Sequence, residues 1–281
     1  MALISAFCLL QGIGVCELGV ERGILRELPA QSLQAPQEPL VVVVDPEPRV
    51  AIALVDASLE LVPPEIAKHP AVEKTAKRRG KRPLAMLLDK SLHYHAMKRL
   101  PSQEKRGRPD IVHFCMLEVL ESPLCSKGYV QLYVHTLSGQ VIKARSDVRL
   151  PKNYNRFVGL MEQLLAFGRV PAEGEVLLEV LGRGLDKAIE DFKPSRKILL
   201  SEKGVRMNPL DLASKVLGGG EKAMIMIGAF PHGDFSDEVL RSADEIVSIY
   251  EGVLEGFVAT SIVLRALEFK LGLYDIDGRN V

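Results

Sequence analysis

At 281 residues the chain can hold one large or two modest domains with a substantial core, and its 36 Lys and Arg offset 36 Asp and Glu, so overall charge gives no argument for a polyanionic partner. No continuous apolar run reaches the ~20 residues of a membrane span, which points to a soluble protein with no membrane partner. Cys8, Cys16, Cys115 and Cys125 form no CxxC pair and have no neighbouring His at ligand spacing, which argues against a metal centre or a disulfide scaffold and fits the reducing cytoplasm.

Residues 2–16 are apolar enough to suggest a signal peptide, yet no Lys or Arg precedes them as a signal requires. Residues 31–48, rich in Pro and Gln, read as a linker, so 1–48 is an N-terminal extension without an assigned role. The β-branched run at 50–55 predicts a buried parallel strand. Asp56 to Glu60 then lies at its carboxyl end, where open α/β sheets present ligand crevices.

The stretch 68–108 concentrates twelve Lys or Arg between Lys74 and Arg108. Such a cluster is the electrostatic footprint of a nucleic-acid binder, although a solvated basic loop gives the same pattern. A helix is expected over 90–100. In Arg108-Pro109-Asp110, proline suits a first helical position and the aspartate a first turn, which is also what a plain helix start looks like. An aspartate two residues on can in addition hold a guanidinium so that its fork points at phosphate.

Residues 129–136 and 140–144 alternate in polarity around Ser138-Gly139, the clearest hairpin of the chain. In VRLPKNYNRFVGLMEQLLAFG the spacing of Phe157, Leu160, Met161, Leu164 and Leu165 predicts a helix whose 157–167 face packs on the core. Arg149, Lys152 and Arg156 then cluster at its start. Cations there oppose the helix dipole, so they suit a ligand better than they suit stability. Short strands are expected at 174–181, 197–200 and 223–227, with a helix over 208–217 capped by Asn208 and stopped at Gly218.

The most telling stretch is 224–260. The apolar run 224–227 ends in a loop bracketed by Gly228 and Gly233, and a second strand, 245–249, runs into Gly252 before a helix near Val253 with Leu254, Phe257, Val258 and Ile262 on one face. Two strands ending in glycine-bearing loops form a ligand-binding layout. With neither GxGxxG nor a P-loop, it is not a dinucleotide or nucleoside-triphosphate fingerprint.

IGAFPHG at 227–233, VSIYEGVLEG at 247–256, Arg-Pro-Asp at 108–110 and VRLPKNYNRF at 148–157 together resemble the ribosome-biogenesis pseudouridine-N(1)-methyltransferases of the SPOUT superfamily, over about residues 49–269. The resemblance implies an α/β fold: a C-terminal trefoil-knotted parallel sheet, helices on both faces and a β-hairpin extension. The methyltransferase domain would span 49–271, with a basic loop at 68–108, the β extension at 129–145 and a tail at 272–281. S-adenosylmethionine is the implied cofactor, wrapped by Leu200, Gly228, Gly233, Ile249, Tyr250, Glu251, Gly252, Val253 and Leu254. Small-subunit ribosomal RNA is the implied partner, gripped by Arg108, Asp110, Arg149, Lys152 and Arg156. The closing helix would help to form a homodimer.

Two departures stand out. Tyr250-Glu251-Gly252-Val253 replaces the family's Ser-Asn-Tyr-Pro, and Lys152 keeps a charge but loses the arginine fork. The implied reaction is methylation of pseudouridine N1. Its base is unassigned, with His232, Asp56 and Asp234 no more than candidates. A non-enzymatic assembly factor, a ribose 2′-O methyltransferase and a small-molecule-binding α/β protein are the rival readings.

Overall fold

The computed structural model describes residues 47–274. The signal-peptide reading, Cys8, Cys16, nearly all of the linker and the end of the tail lie outside the described residues.

The eight residues of β1 (Val50–Ala57) are all buried, as an uninterrupted apolar run demands of a central strand. It is followed by α1 (Pro70–Arg79), α2 (Lys90–Met97), α3 (Pro109–Leu120), the short α4 (Pro123–Ser126), β2 (Val130–Thr136), β3 (Gln140–Ala144), α5 (Tyr154–Phe167), β4 (Arg169–Val170) and β5 (Leu178–Arg183). Then come α6 (Asp186–Phe192), β6 (Arg196–Arg206), α7 (Pro209–Leu217), β7 (Ala223–Gly228), α8 (Asp237–Ser242), β8 (Glu245–Ser248) and α9 (Gly256–Lys270).

The strands form one sheet in the order β4-β5-β3-β2-β1-β7-β6-β8. From β2 to β8 neighbouring strands are parallel, with Val50 opposite both Val130 and Ala223. Alternation along β1 feeds two cores. Val50, Ile52 and Leu54 pack with residues of α3, α5, α7 and α9, whereas Ala51, Ala53 and Val55 pack with Leu185, Ala188 and Phe192 around α6 and with Val239 of α8. Helices thus cover both faces, as expected.

Four readings change. The predicted hairpin forms, with Leu132 opposite Ala144, but it is built into the main sheet because β2 lies parallel to β1. The basic stretch 68–108 is no open loop: Val62, Val72, Ala76, Met86, Leu88, Ala96 and Met97 give the α1–α2 region a core of its own beneath its charged surface. Phe167 is 72% exposed, turned away from the stripe that Phe157, Met161, Leu164 and Leu165 bury. Finally, α9 begins at Gly256 and buries Ala259, Val263, Leu264 and Leu267, leaving Phe257 exposed and Ile262 at the edge.

Candidate active site

The carboxyl ends of β6, β7 and β8 open onto a cavity of about 430 Å³. Leu200, Gly228, Gly233, Ile249, Tyr250, Gly252, Val253 and Leu254 all line it; Glu251 is exposed and off its wall. The backbone explains why these loops can close together. A Cβ on Gly228 would stand 3.0 Å from the Phe230 ring and 3.1 Å from Phe235, while a Cβ on Gly256 would lie 2.5 Å from the Gly228 carbonyl oxygen. Gly233 adopts φ +107°, open to glycine and strained for any other residue. Ser248 Oγ donates to the Tyr250 carbonyl at 2.6 Å, fixing the turn after β8.

Sequence reasoning passed over several wall residues, among them Ser201, Glu202, Phe230, Phe235, Glu255 and Gly256. Gly256 could have been found, since it closes the VSIYEGVLEG stretch that carries the resemblance.

Asp56, next to last in β1, takes a left-handed conformation (φ +48°) and is 2% exposed. Its Oδ2 accepts from the Ser236 amide at 2.7 Å and its Oδ1 from Ser236 Oγ at 2.8 Å. That carboxylate is committed to fastening the far end of the glycine loop and does not line the cavity, so its candidacy as a base is withdrawn. Asp234 is on the wall but pairs with Lys203, which holds its carboxyl below the ordinary range. His232 is on the wall as well.

The Arg-Pro-Asp triplet does both jobs that its chemistry allows. Pro109 opens α3, and Arg108 forks onto Asp110 with Nε–Oδ1 and Nη2–Oδ2 distances of 2.8 Å, which raises the guanidinium pKa further above its ordinary value. The Arg108 amide donates to Ser58 Oγ at 2.8 Å, and the Ser58 amide donates to the Ala229 carbonyl at 2.9 Å. Two hydrogen bonds therefore stitch the arginine to the glycine loop.

The start of α5 is tied into the same region. Tyr154 OH donates to Asp89 Oδ2 at 2.7 Å, His113 Nε2 donates to the Pro151 carbonyl at 2.7 Å, and the His113 ring stacks 4.2 Å from Phe157. Asn153 caps the helix, leaving Arg156 exposed in its first turn. Arg149 and Lys152 part company with this group. They line a second depression with Pro48 and Val130, at the amino ends of β1 and β2, where Lys152 Nζ lies 3.1 Å from Glu121.

A model of the EMG1/NEP1 methyltransferase family matches residues 52–268. The chain is 45% identical to the ribosomal RNA small subunit methyltransferase Nep1 of Staphylothermus marinus over 228 residues, covering 81% of this chain and 97% of that protein. With the protein of the same name from Saccharolobus solfataricus it shares 51% identity over 199 residues, 70% of this chain and 87% of the other. The crystal structure of Archaeoglobus fulgidus Nep1 bound to S-adenosylhomocysteine superposes with a TM-score of 0.70 at 44% identity, covering 78% of this chain and 97% of that one. With three quarters of its length inside the family pattern and its glycine loops closed around one cavity, the chain belongs to the EMG1/NEP1 methyltransferase family.

Proposed function

We propose that the cavity holds S-adenosylmethionine and that the protein methylates N1 of a pseudouridine in small-subunit ribosomal RNA. The observation that carries this reading is the convergence of the two glycine loops on one cavity, with the Arg108–Asp110 fork stitched to its edge through Ser58. The fit is physical: at 430 Å³ the cavity falls in the range of about 300–1,000 Å³ typical of small-ligand sites, and its loops approach so closely that a Cβ at Gly228 would crowd the wall. The relatives are named ribosomal RNA methyltransferases, and one was crystallised with the demethylated cofactor.

When bound, the cofactor supplies an electrophilic methyl on its sulfonium. Backbone around Gly228, Gly233 and Gly252 takes the ligand without demanding particular side chains, so the departure at Tyr250-Glu251-Gly252-Val253 leaves such contacts in place. Phe230 and Phe235 keep water from the wall. Arg108, held by Asp110, positions the target nucleotide, and Arg156, exposed in the first turn of α5, takes a flanking phosphate; Arg149 and Lys152, at the amino ends of β1 and β2, stand apart from this grip. Pseudouridine presents a free N1–H where uridine has its glycosidic bond. The S–CH3 bond would break as the N–C bond forms, leaving a neutral thioether, and the N1 proton would pass to solvent; alignment alone can supply up to roughly 7–11 kcal/mol of such a barrier. A loop nucleotide is the cheaper target because it is already unstacked.

The test is a methylation assay on a pseudouridine-containing RNA hairpin with a uridine hairpin as control, read by mass spectrometry. Methyl on the pseudouridine base supports the reading; methyl on ribose, or none on either RNA, overturns it. Asp110→Asn should lower kcat/KM about tenfold, because a charge-assisted hydrogen bond of about 1.5–3 kcal/mol no longer aims Arg108. RNA affinity should also fall steeply with salt, and Arg156→Ala should flatten that slope by about one phosphate contact.

We also propose a homodimer. Phe257, Leu210 and Phe269 are exposed, and the last two line an open depression with Ile262 between α7 and α9, an apolar surface suited to a second copy of this chain. Phe269→Glu should convert dimer to monomer in light scattering; an unchanged mass would refute this. Cys115 and Cys125 are free and buried, in keeping with a cytoplasmic site of action.

A further inference from the structure

The segment 101–108 crosses the carboxyl end of β1 as a strap and is fastened there by three successive contacts. Arg106 forks onto Glu60 at 2.7 and 2.6 Å, the Arg108 amide donates to Ser58 Oγ at 2.8 Å, and Lys105 Nζ lies 3.5 Å from Asp56 Oδ2. The first two contacts end on the segment just after the strand, at Glu60 and Ser58, and the third on the strand itself, at Asp56. Lys105 reaches further.

Its ammonium stands 4.8 Å from the centroid of the Phe230 ring, and a Cβ on Gly233 would meet its Cε at 3.1 Å and its Cγ at 3.3 Å. Phe230 and Gly233 are wall residues of the cavity, and Asp56 is the acceptor that holds Ser236 at the other end of the same loop. One side chain, 12% exposed, therefore touches the loop at its aromatic, at its glycine and, through Asp56, at its exit. Burying an ammonium costs free energy unless a carboxylate and a ring face compensate it, and both are present. Three residues along the chain from this lysine stands Arg108.

We propose that Lys105 is a positioning residue that couples RNA held at Arg108 to the cofactor loop 228–236. This rests on the functional reading given above. RNA seated on the Arg108 fork orders the strap; the ordered strap presses the Lys105 stem against Gly233 and its ammonium between Asp56 and Phe230. The loop is then already set for the cofactor, and the ordering cost has been met once for both ligands. Linkage makes the effect reciprocal, so cofactor strengthens RNA binding by the same factor.

Calorimetry with S-adenosylhomocysteine as the probe, without and with a pseudouridine-containing hairpin, measures that factor. In the wild-type chain the RNA should raise S-adenosylhomocysteine affinity about five- to tenfold, and the reverse titration should give the same number. Lys105→Met keeps an unbranched stem beside Gly233 and removes the ammonium from Asp56 and Phe230. Its coupling factor should fall to about one while RNA affinity measured without cofactor stays within about twofold of wild type, and Lys105→Arg should restore most of the factor. A purely structural lysine would lower the melting temperature and both affinities but leave their ratio intact, and that result overturns the proposal. So does a wild-type chain that binds both ligands with no mutual effect. A wild-type chain that binds neither overturns the functional reading itself, and the coupling with it.

Discussion

Gly256→Ala should weaken S-adenosylhomocysteine binding about tenfold and lower kcat/KM about a hundredfold, while the protein still folds. The added Cβ would lie 2.5 Å from the carbonyl oxygen of Gly228, and Cys115 Sγ, 3.6 Å away, limits retreat toward α3. Neither obstacle is a flexible chain end: one is backbone at the close of β7, the other a buried thiol. Relief requires the start of α9 and the end of β7 to separate by about 1 Å, and misplacement of that size near reacting groups costs about 10²-fold. Both glycines line the cavity, so the separation distorts the ligand site directly. Stability should drop by only about 1–3 kcal/mol, the usual cost of local overpacking, because Val263, Leu264 and Leu267 anchor the rest of α9. Gly159→Ala, in α5 and away from the cavity, is the control: its Cβ would meet nothing within 4 Å, so binding should change less than about twofold. Equal affinities for Gly256→Ala and Gly159→Ala would sink the assignment of this close approach to the site.

Local chemistry was legible where one physical cause dominates. Strands buried on both faces write themselves as unbroken apolar runs, so β1 and β7 are visible in the letters. Caps are equally direct: Asn208 accepts from the Leu210 amide as its side chain predicts, Pro109 opens α3, and Gly218 closes α7. The fork of Arg108 onto Asp110 is a two-residue matter and was readable in the triplet. What escaped is long-range or ambiguous in period. That β7 inserts between β1 and β6 while β8 takes the outer edge depends on pairings dozens of residues apart. The helix α9 is apolar on more than one side, so periodicity could not say whether Phe257 and Ile262 or Val263 and Leu264 face the sheet. Arg149, Lys152 and Arg156 are neighbours in sequence, yet α5 starts between Lys152 and Arg156, and the structure divides the three between two surfaces. Asp56 looked like a crevice carboxylate, but a left-handed kink turns it onto Ser236.

Glu162→Ala should be the most destabilising single change on the side proposed to face RNA, costing about 3–5 kcal/mol. Glu162 sits on α5 and is 3% exposed. Its Oε1 accepts from Arg79 Nη1 at 2.6 Å and from the Leu87 amide at 3.0 Å; its Oε2 accepts from Arg79 Nη2 at 3.0 Å and from Lys81. One carboxylate thus pins the α1–α2 module to the helix that carries Tyr154 and Arg156. Alanine would leave a buried amide without an acceptor and two cations without a counter-charge. Burial by itself raises the carboxyl pKa, but Arg79, Lys81 and the Leu87 amide outweigh it, and the net shift is downward. A folded-state pKa below the unfolded value of about 4.3 stabilises the protein fully above that value, and the contribution disappears as pH falls through the folded value. Denaturant titrations of wild type and Glu162→Gln should therefore differ most at neutral pH and converge as pH falls below the ordinary carboxylate range. A gap that stays constant throughout that fall would mean the charge is not what holds the module. Because the loosened module bears Asp89, the partner of Tyr154, Glu162→Ala should lose RNA affinity about tenfold while S-adenosylhomocysteine affinity, set at the carboxyl ends of β6, β7 and β8, stays within about twofold.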